Sequence, residues 1–153
     1  MNVDNLIERI DIRAQYKAYG LGELPLTDDA LKTKLTNHLN TAIADLVQNI
    51  NVDGAEFNVK VVNGAITVSL SVDGSSVNNI EAVKAAVREY LENEVVYLWW
   101  LEIEPRFAND SNRFLLKDIV KKRILAFVKE TIPPKRQMVP RVVNDTHIEY
   151  DYE

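Results

Sequence analysis

The stretch AEFNVKVVNGAITVSLSV, residues 55–72, decides the fold class of this chain. At its centre, Asn63-Gly64 is a pair that a two-residue type I′ turn prefers, because both central residues of that turn need a positive φ. A turn here predicts a β-hairpin in which four apolar pairs share one face: Ala55 with Val72, Phe57 with Leu70, Val59 with Val68, and Val61 with Ile66. A shift of one residue would move every side chain to the other face, so turn and alternation predict the same register.

Apolar residues at helical spacing predict two helices before the hairpin and two after it. The first is predicted over about residues 3–18, and the second begins after Thr27, whose side chain is suited to cap free backbone N–H groups. Asn78, with Glu81 three residues later, predicts the start of a long helix that Pro105 ends. A last helix is predicted over about residues 111–131. We therefore predict an α+β fold in the order α-α-β-β-α-α, with the helices packed on one face of the hairpin.

The chain divides into a single predicted domain, residues 1–132, and an extended C-terminal tail, residues 133–153. Polar and apolar residues alternate from His147 to Tyr152, which predicts an edge strand within the tail. A two-stranded hairpin is marginal by itself, so the sheet needs a further strand or a helical cover. Two sources of such a strand are open, namely the tail of the same chain or another subunit.

Composition argues against several kinds of chemistry. The 153 residues include no cysteine and two histidines, which excludes thiolate catalysis and zinc-thiolate sites. Nothing matches a P-loop, a dinucleotide fingerprint, a nucleophile elbow or a catalytic triad. We therefore expect a protein that is not an enzyme and that has no catalytic residue, no cofactor and no metal. His147, Glu149 and Asp151 are interpreted as the polar face of the tail strand rather than as metal ligands.

The first residues, MNVDN, lack the basic and then apolar pattern of a secretory signal. The longest apolar run, from Val95 to Leu101, is far shorter than the roughly 20 residues of a membrane-spanning helix. We therefore expect a cytoplasmic protein without a membrane partner, or a protein of the virion if the chain comes from a phage.

Charge is distributed unevenly along the chain. Residues 1–105 carry 8 Lys and Arg against 16 Asp and Glu, residues 106–141 carry 10 against 3, and residues 142–153 carry 4 acids alone. A basic segment of this kind suits either nucleic-acid phosphates or an acidic protein surface, and the net charge of −5 favours the protein. The candidate residues for such a contact are Arg113, Lys117, Lys121, Lys122, Arg123, Lys129, Lys135 and Arg136.

A second group of candidates is apolar. The run from Val95 to Leu101 makes one end of the long helix apolar on all sides, which leaves two interpretations. Either the helix crosses the core there, or some of these residues contact a partner. The apolar residues of the tail are suited to lie across a neighbouring subunit. The interface candidates are Tyr97, Trp99, Trp100, Val139, Val142, Val143, Ile148, Tyr150 and Tyr152.

Together these features predict a non-catalytic structural subunit of a larger oligomeric complex whose partners are other protein subunits. An acidic body beside a basic helix favours head-to-tail packing, and contacts of this type close into rings. By analogy of size and architecture, the concrete expectation is a virion component, namely a ring, neck or tail protein of a tailed phage. The alternative is a nucleic-acid-binding accessory protein that uses residues 106–141.

Overall fold

The computed structural model describes residues 1–130 in full and, beyond them, the backbone of residue 131, of Met138–Asn144 and of His147–Tyr152. In this part of the chain the helices are α1 (Val3–Arg9), α2 (Ile12–Ala18), α3 (Asp28–Asn49), α4 (Glu81–Ile103) and α5 (Arg113–Thr131). The strands are β1 (Ala55–Val62), β2 (Ala65–Val72), β3 (Ser75–Ser76), β4 (Met138–Asn144) and β5 (His147–Tyr152). A 3-10 helix, Pro105–Phe107, joins α4 to α5. The fold is α+β, and the sheets are antiparallel.

The predicted hairpin is confirmed residue by residue. β1 and β2 pair in the expected register, with Ala55 opposite Val72, Phe57 opposite Leu70, Val59 opposite Val68, and Val61 opposite Ile66. Asn63 and Gly64 have φ angles of 49° and 75°, the positive values that the type I′ turn requires. The apolar face is buried along β2, but Val61, beside the turn, is 41% exposed. The hydrophobic core therefore ends shortly before the turn.

The first residues of the chain extend this sheet. Asn2 forms a single β-bridge with Ala65, and the Val3 N–H donates to the carbonyl oxygen of Gly64 at 2.9 Å. The Ile66 N–H donates to the carbonyl oxygen of Met1 at 2.6 Å. Since β3 pairs with the other end of β2, the outer edge of β2 is covered at both ends.

The first predicted helix is divided in two. Ile10 ends α1, and the Asp11 carboxylate caps α2 by accepting a hydrogen bond from the Ala14 N–H at 3.0 Å. The prediction of one continuous helix was wrong because it followed the apolar spacing and overlooked Asp11 as a second N-cap.

The start of α3 was predicted correctly and the start of α4 was not. Thr27 caps α3, accepting from the Ala30 N–H at 3.2 Å. Asn78 makes no cap, because the preceding residue, Val77, still donates its N–H to a carbonyl of β2 at 2.9 Å. The chain leaves the sheet so close to Asn78 that this residue cannot be the N-cap. Helix α4 begins at Glu81, and its N-cap residue, Ile80, makes no side-chain hydrogen bond.

The long helix α4 lies at the centre of the molecule, where it packs against α1, α3, α5 and the 3-10 helix. Val83, Val87, Leu91 and Val95 of its apolar stripe are fully buried, as are Tyr90 and Trp99, and Trp100 is nearly so. Helix α5 faces it with three fully buried or nearly buried residues, Leu116, Val120 and Ile124. Each buried aliphatic side chain of this kind stabilises the fold by about 1.5–3 kcal/mol. The helices cover one face of the sheet, with α3 against β1 and α5 against β2.

The tail contains more pairing than the sequence predicted. The expected strand, β5, pairs antiparallel with a second strand, β4, so that Val142 lies opposite Ile148. β4 ends at Asn144, a residue type that favours turns, and this signal was overlooked. Among the described strands, no pairing joins β4 and β5 to the sheet of β1, β2 and β3.

Replacement of Gly64 by alanine tests the turn. A Cβ at this position meets no heavy atom within 4 Å, so the cost comes from the backbone angle alone. We expect Gly64→Ala to lower the free energy of unfolding by about 1–2 kcal/mol, as measured by urea denaturation. Asn63→Gly is the control, because it keeps both angles accessible and is expected to cost less than about 0.5 kcal/mol. An equal loss in the two variants would contradict this account of the turn.

Candidate protein interface

A buried carboxylate fixes the start of α5. Glu94 of α4 is 2% exposed and is the one buried charged residue among those described in full. Arg113 donates from Nε and Nη2 to the two carboxylate oxygens of Glu94, both at 2.7 Å. The same guanidinium lies 3.9 Å from the ring centre of Tyr97. The hydrogen bond to Glu94 raises the pKa of Arg113, so the guanidinium stays charged and holds the first turn of α5 on α4.

A second polar group joins α5 to α3. Asp45 of α3 accepts from the Tyr90 hydroxyl at 2.7 Å and from Nζ of Lys117 at 2.6 Å. Partial burial acts to raise the pKa of Asp45, but these two bonds outweigh it, and the pKa lies below its ordinary value. Burial, together with the hydrogen bond to Asp45, raises the pKa of Tyr90, which therefore remains a donor. Lys117, like Arg113, is thus bound within the chain.

The opposite side of α5 mixes apolar and cationic side chains. Phe114 and Leu115 are 70% and 56% exposed, the largest exposures among the large hydrophobic residues that the structure describes in full. Exposed cations follow at helical spacing on the same side, and we define the outer face of α5 as Phe114, Leu115, Lys121, Lys122 and Lys129. Lys122 has a surface ion pair with Asp118 at 2.8 Å, a type of contact that contributes little. Within residues 1–130, Lys121 and Lys129 have no ion pair.

Arg123 is also exposed, but it lies about a quarter turn or more away from this face. Of the eight predicted basic candidates, four are exposed on α5 and have no ion pair to another helix within residues 1–130: Lys121, Lys122, Arg123 and Lys129. Lys135 and Arg136 lie outside the described residues.

A groove of about 420 Å³ lies between α1, α2 and the start of α3, and we call it the α1–α3 groove. Its floor is apolar and is formed by Ile7, Ile10, Ile12, Leu31 and Leu35. Its rim is charged and carries Asp4, Glu8, Asp11 and Asp28 beside Arg13 and Lys32. A concave apolar floor with a polar rim is the form that binding sites commonly take.

The rim of the groove is negative. Arg13 pairs with Asp28 at 2.8 Å, and Lys32 pairs with Asp4 at 2.7 Å, so each cation is already matched by a carboxylate. The hydrogen bond from Lys32 to Asp4 raises the pKa of Lys32, and the charges of Asp29 and Glu8 act in the same direction. An approaching cation therefore meets an excess of negative charge.

The outer edge of β1 is open. Because the Ile66 N–H bonds to Met1, it points away from β1, and Val61 opposite it must also direct its N–H outward in an antiparallel ladder. By the same alternation Val59 and Phe57 face outward. Within residues 1–130, β1 pairs with β2 alone, and no backbone hydrogen bond reaches these three residues from outside the hairpin. The structure therefore leaves β1, rather than β2, as the free edge of the sheet.

The predicted aromatic candidates lie in or near the core. Trp99 and Trp100 are 0% and 1% exposed, as expected if the helix crosses the core there, and they offer no surface to a partner. Nε1 of Trp100 donates to the side chain of Gln15 at 2.8 Å. Tyr97 is half-buried beneath Arg113. The exposed apolar residues of this helix end are instead Leu101 and Ile103.

Phe114 and Leu115 were not predicted as candidates. The sequence did contain a signal for them, since they fall outside the inward stripe of Leu116, Val120 and Ile124. The side chains of the tail candidates, Val139, Val142, Val143, Ile148, Tyr150 and Tyr152, lie outside the described part of the structure. The same holds for His147, Glu149 and Asp151.

One cluster of titratable side chains outside these surfaces contains the residue types of a catalytic site. Glu102 lies 3.0 Å from Nζ of Lys34 and 3.0 Å from Nε2 of His38. The hydrogen bond from Lys34 lowers the pKa of Glu102, which keeps this carboxylate ionised and unsuited to general acid catalysis. In the described residues, no cluster of three or more His, Asp or Glu could hold a metal ion. None of the helices described is long and apolar enough to cross a membrane.

Comparison of the chain with protein-family models, with curated proteins and with solved structures finds no match.

Substitution of the buried carboxylate tests the attachment of α5. We expect Glu94→Gln to lower the free energy of unfolding by about 2–3 kcal/mol, because Arg113 loses its charged partner. The exposure of 20% that the Arg113 side chain retains keeps this loss below that of a fully buried pair. Glu81→Gln, which removes an exposed partner of Lys84 on the same helix, is the control and is expected to cost less than about 0.5 kcal/mol. Equal costs in urea denaturation would contradict the assigned role of Glu94.

The pH dependence of stability tests Asp45. Its pKa is lower in the folded chain than its ordinary value of 3.8, so its contribution is complete above that value and is lost as the pH falls through the folded pKa. We expect the free energy of unfolding of the wild type to fall more steeply than that of Asp45→Asn between about pH 4 and pH 2. Urea denaturation at a series of pH values measures both slopes, and parallel curves would exclude the expected linkage.

Proposed function

We propose that this chain is a structural subunit, made in the cytoplasm, that assembles with further protein subunits, first of all with copies of itself, and that it is not an enzyme. The open edge of β1 carries the proposal. This edge is eight residues long, and Val61 and Val62 at its end are 41% and 51% exposed. Unpaired N–H and C=O groups on an exposed edge form a template for a strand of another chain.

The C-terminal tail is the strand donor that we propose. Its two strands pair with each other, and a two-stranded sheet is marginal in water unless it gains a third strand or an apolar cover. Addition of a tail strand to β1 of a neighbouring copy would complete both sheets. In this recognition mode the backbone hydrogen bonds supply affinity, and alternate side chains supply specificity.

The exposed apolar residues of α5 also support a protein partner. Phe114 and Leu115 lie beside cations on one side of a helix, where protein interfaces commonly place an apolar centre and a charged rim. The most concrete form of the proposal is a ring, neck or tail protein of a tailed phage, which rests on analogy of size and element order. The nucleic-acid alternative is weaker, because Arg113 and Lys117 of the basic segment are bound within the chain.

Native mass tests the proposal. Light scattering on a size-exclusion column is expected to give an oligomer for the full chain, and a lower mass for Val61→Pro and for a chain truncated after Gln137. Proline at position 61 removes the outward N–H, whereas it leaves the hydrogen bonds to β2 in place. Val61→Thr keeps the N–H and is the matched control, with an expected mass equal to that of the wild type. A full chain that remains a monomer of 17.4 kDa at every concentration would overturn the proposal.

A further inference from the structure

We infer that the outer face of α5 of one copy docks in the α1–α3 groove of the next copy. This inference rests on the proposed function, because it names a second pair of surfaces through which the copies associate. The two surfaces differ from each other, so the contact is heterologous, and repetition of it builds a ring or a filament.

Charge complementarity is the first argument. The rim of the groove carries four carboxylates, those of Asp4, Glu8, Asp11 and Asp28, against two cations. The outer face of α5 carries three lysines, with Asp118 as the acid beside them. Opposed potentials of this kind steer two surfaces together and suppress contacts between like surfaces, such as groove with groove. The negative charge of the groove rim and the positive charge of the outer face of α5 thus favour each other as partners.

The apolar parts also match. The floor of the groove consists of isoleucine and leucine side chains, and its open volume of about 420 Å³ receives large side chains. Phe114 and Leu115 project from the first turn of α5 and are the most exposed large hydrophobic residues described in full. An apolar helix face laid in an apolar groove is a recurrent mode of recognition. Phe114 and Leu115 are therefore the expected anchors on the groove floor.

The contact requires two copies. Within one chain α5 packs against α4 and β2, whereas the groove is formed by α1, α2 and α3. Phe114 and Leu115 are exposed, so they do not occupy the groove of their own chain. The two interfaces are also compatible with each other, because the proposed donors, α5 and the tail, follow each other in sequence. The acceptors do not overlap, since the first residues of the chain, just before α1, bond to the outer edge of β2, opposite to the open edge of β1.

Two charge-reversal variants test the docking. The first, Lys121→Glu with Lys122→Glu, changes the outer face of α5, and the second, Glu8→Lys with Asp28→Lys, changes the groove. Each is expected to weaken self-association by about tenfold or more, as measured by light scattering over a range of concentrations. Matched controls reverse exposed charges on α4, away from both proposed interfaces: Lys84→Glu with Arg88→Glu, and Glu81→Lys with Glu89→Lys. Glu81 lies in the first turn of α4 as Asp28 lies in the first turn of α3, so the second control matches the effect of Asp28→Lys on a helix start. Both controls are expected to keep the wild-type mass.

A mixture of the two variants gives the decisive result. Each variant retains one intact surface, and the intact α5 of the groove variant fits the intact groove of the α5 variant. We therefore expect an equimolar mixture to have a higher mass than either variant alone at the same total concentration, because the mixture restores one docking contact. Circular dichroism and urea denaturation confirm beforehand that each variant is folded.

The outcomes separate this inference from the proposed function. A wild type that is monomeric overturns both. An oligomeric wild type that Val61→Pro dissociates, but that neither charge-reversal variant weakens relative to the controls, overturns the docking and leaves the proposed function intact. If both variants are weakened and form no mixed complex, the heterologous pairing is overturned. In a symmetric contact the altered surface would lie on both sides, so that no intact surface would remain for the partner.

Discussion

The carboxylate of Glu94 sets the position of α5 and with it the surface that the molecule presents. A buried carboxylate needs a charged partner. Arg113, the first residue of α5, donates two hydrogen bonds to it. One turn later Lys117 reaches Asp45 of α3. Apolar residues occur on both sides of α5, so burial alone defines its rotation poorly. The two ion pairs define it, and they direct Phe114 and Leu115 outward.

The uneven charge of the chain therefore serves two purposes. Part of the basic segment neutralises acidic residues of α3 and α4, and this part holds the fold together. The remaining lysines of α5 lie on the surface, as do the acidic residues around α1 and the start of α3. Because the first group is unavailable to a partner, a count of basic residues in the sequence overstates the charge that a partner meets.

How far the sequence predicts the structure depends on how local the signal is. The hairpin and its register follow from Asn63-Gly64 and strict alternation, and Thr27 marks the start of α3 by its own side chain. The start of α4 was missed, because the hydrogen bond from Val77 back to Leu70 of β2 decides it, and the helical pattern contains no sign of that bond. Glu94 was missed for a similar reason: its partner lies 19 residues away on another helix, and no periodic pattern announces it. The candidate surfaces likewise depend on which helix face tertiary contacts leave exposed.

The bridge between Asn2 and Ala65 has a consequence for the order in which the chain folds. The first residues of the chain find their hydrogen-bond partners only after the hairpin turn exists, some sixty residues later in synthesis. Closing such a long loop costs entropy that local structure must first offset. The hairpin, whose contacts are local, is thus available early, and α1 docks late. During that interval the turn end of β2 is open as well as the edge of β1, so the nascent chain passes through a stage at which it is most able to pair with the wrong strand.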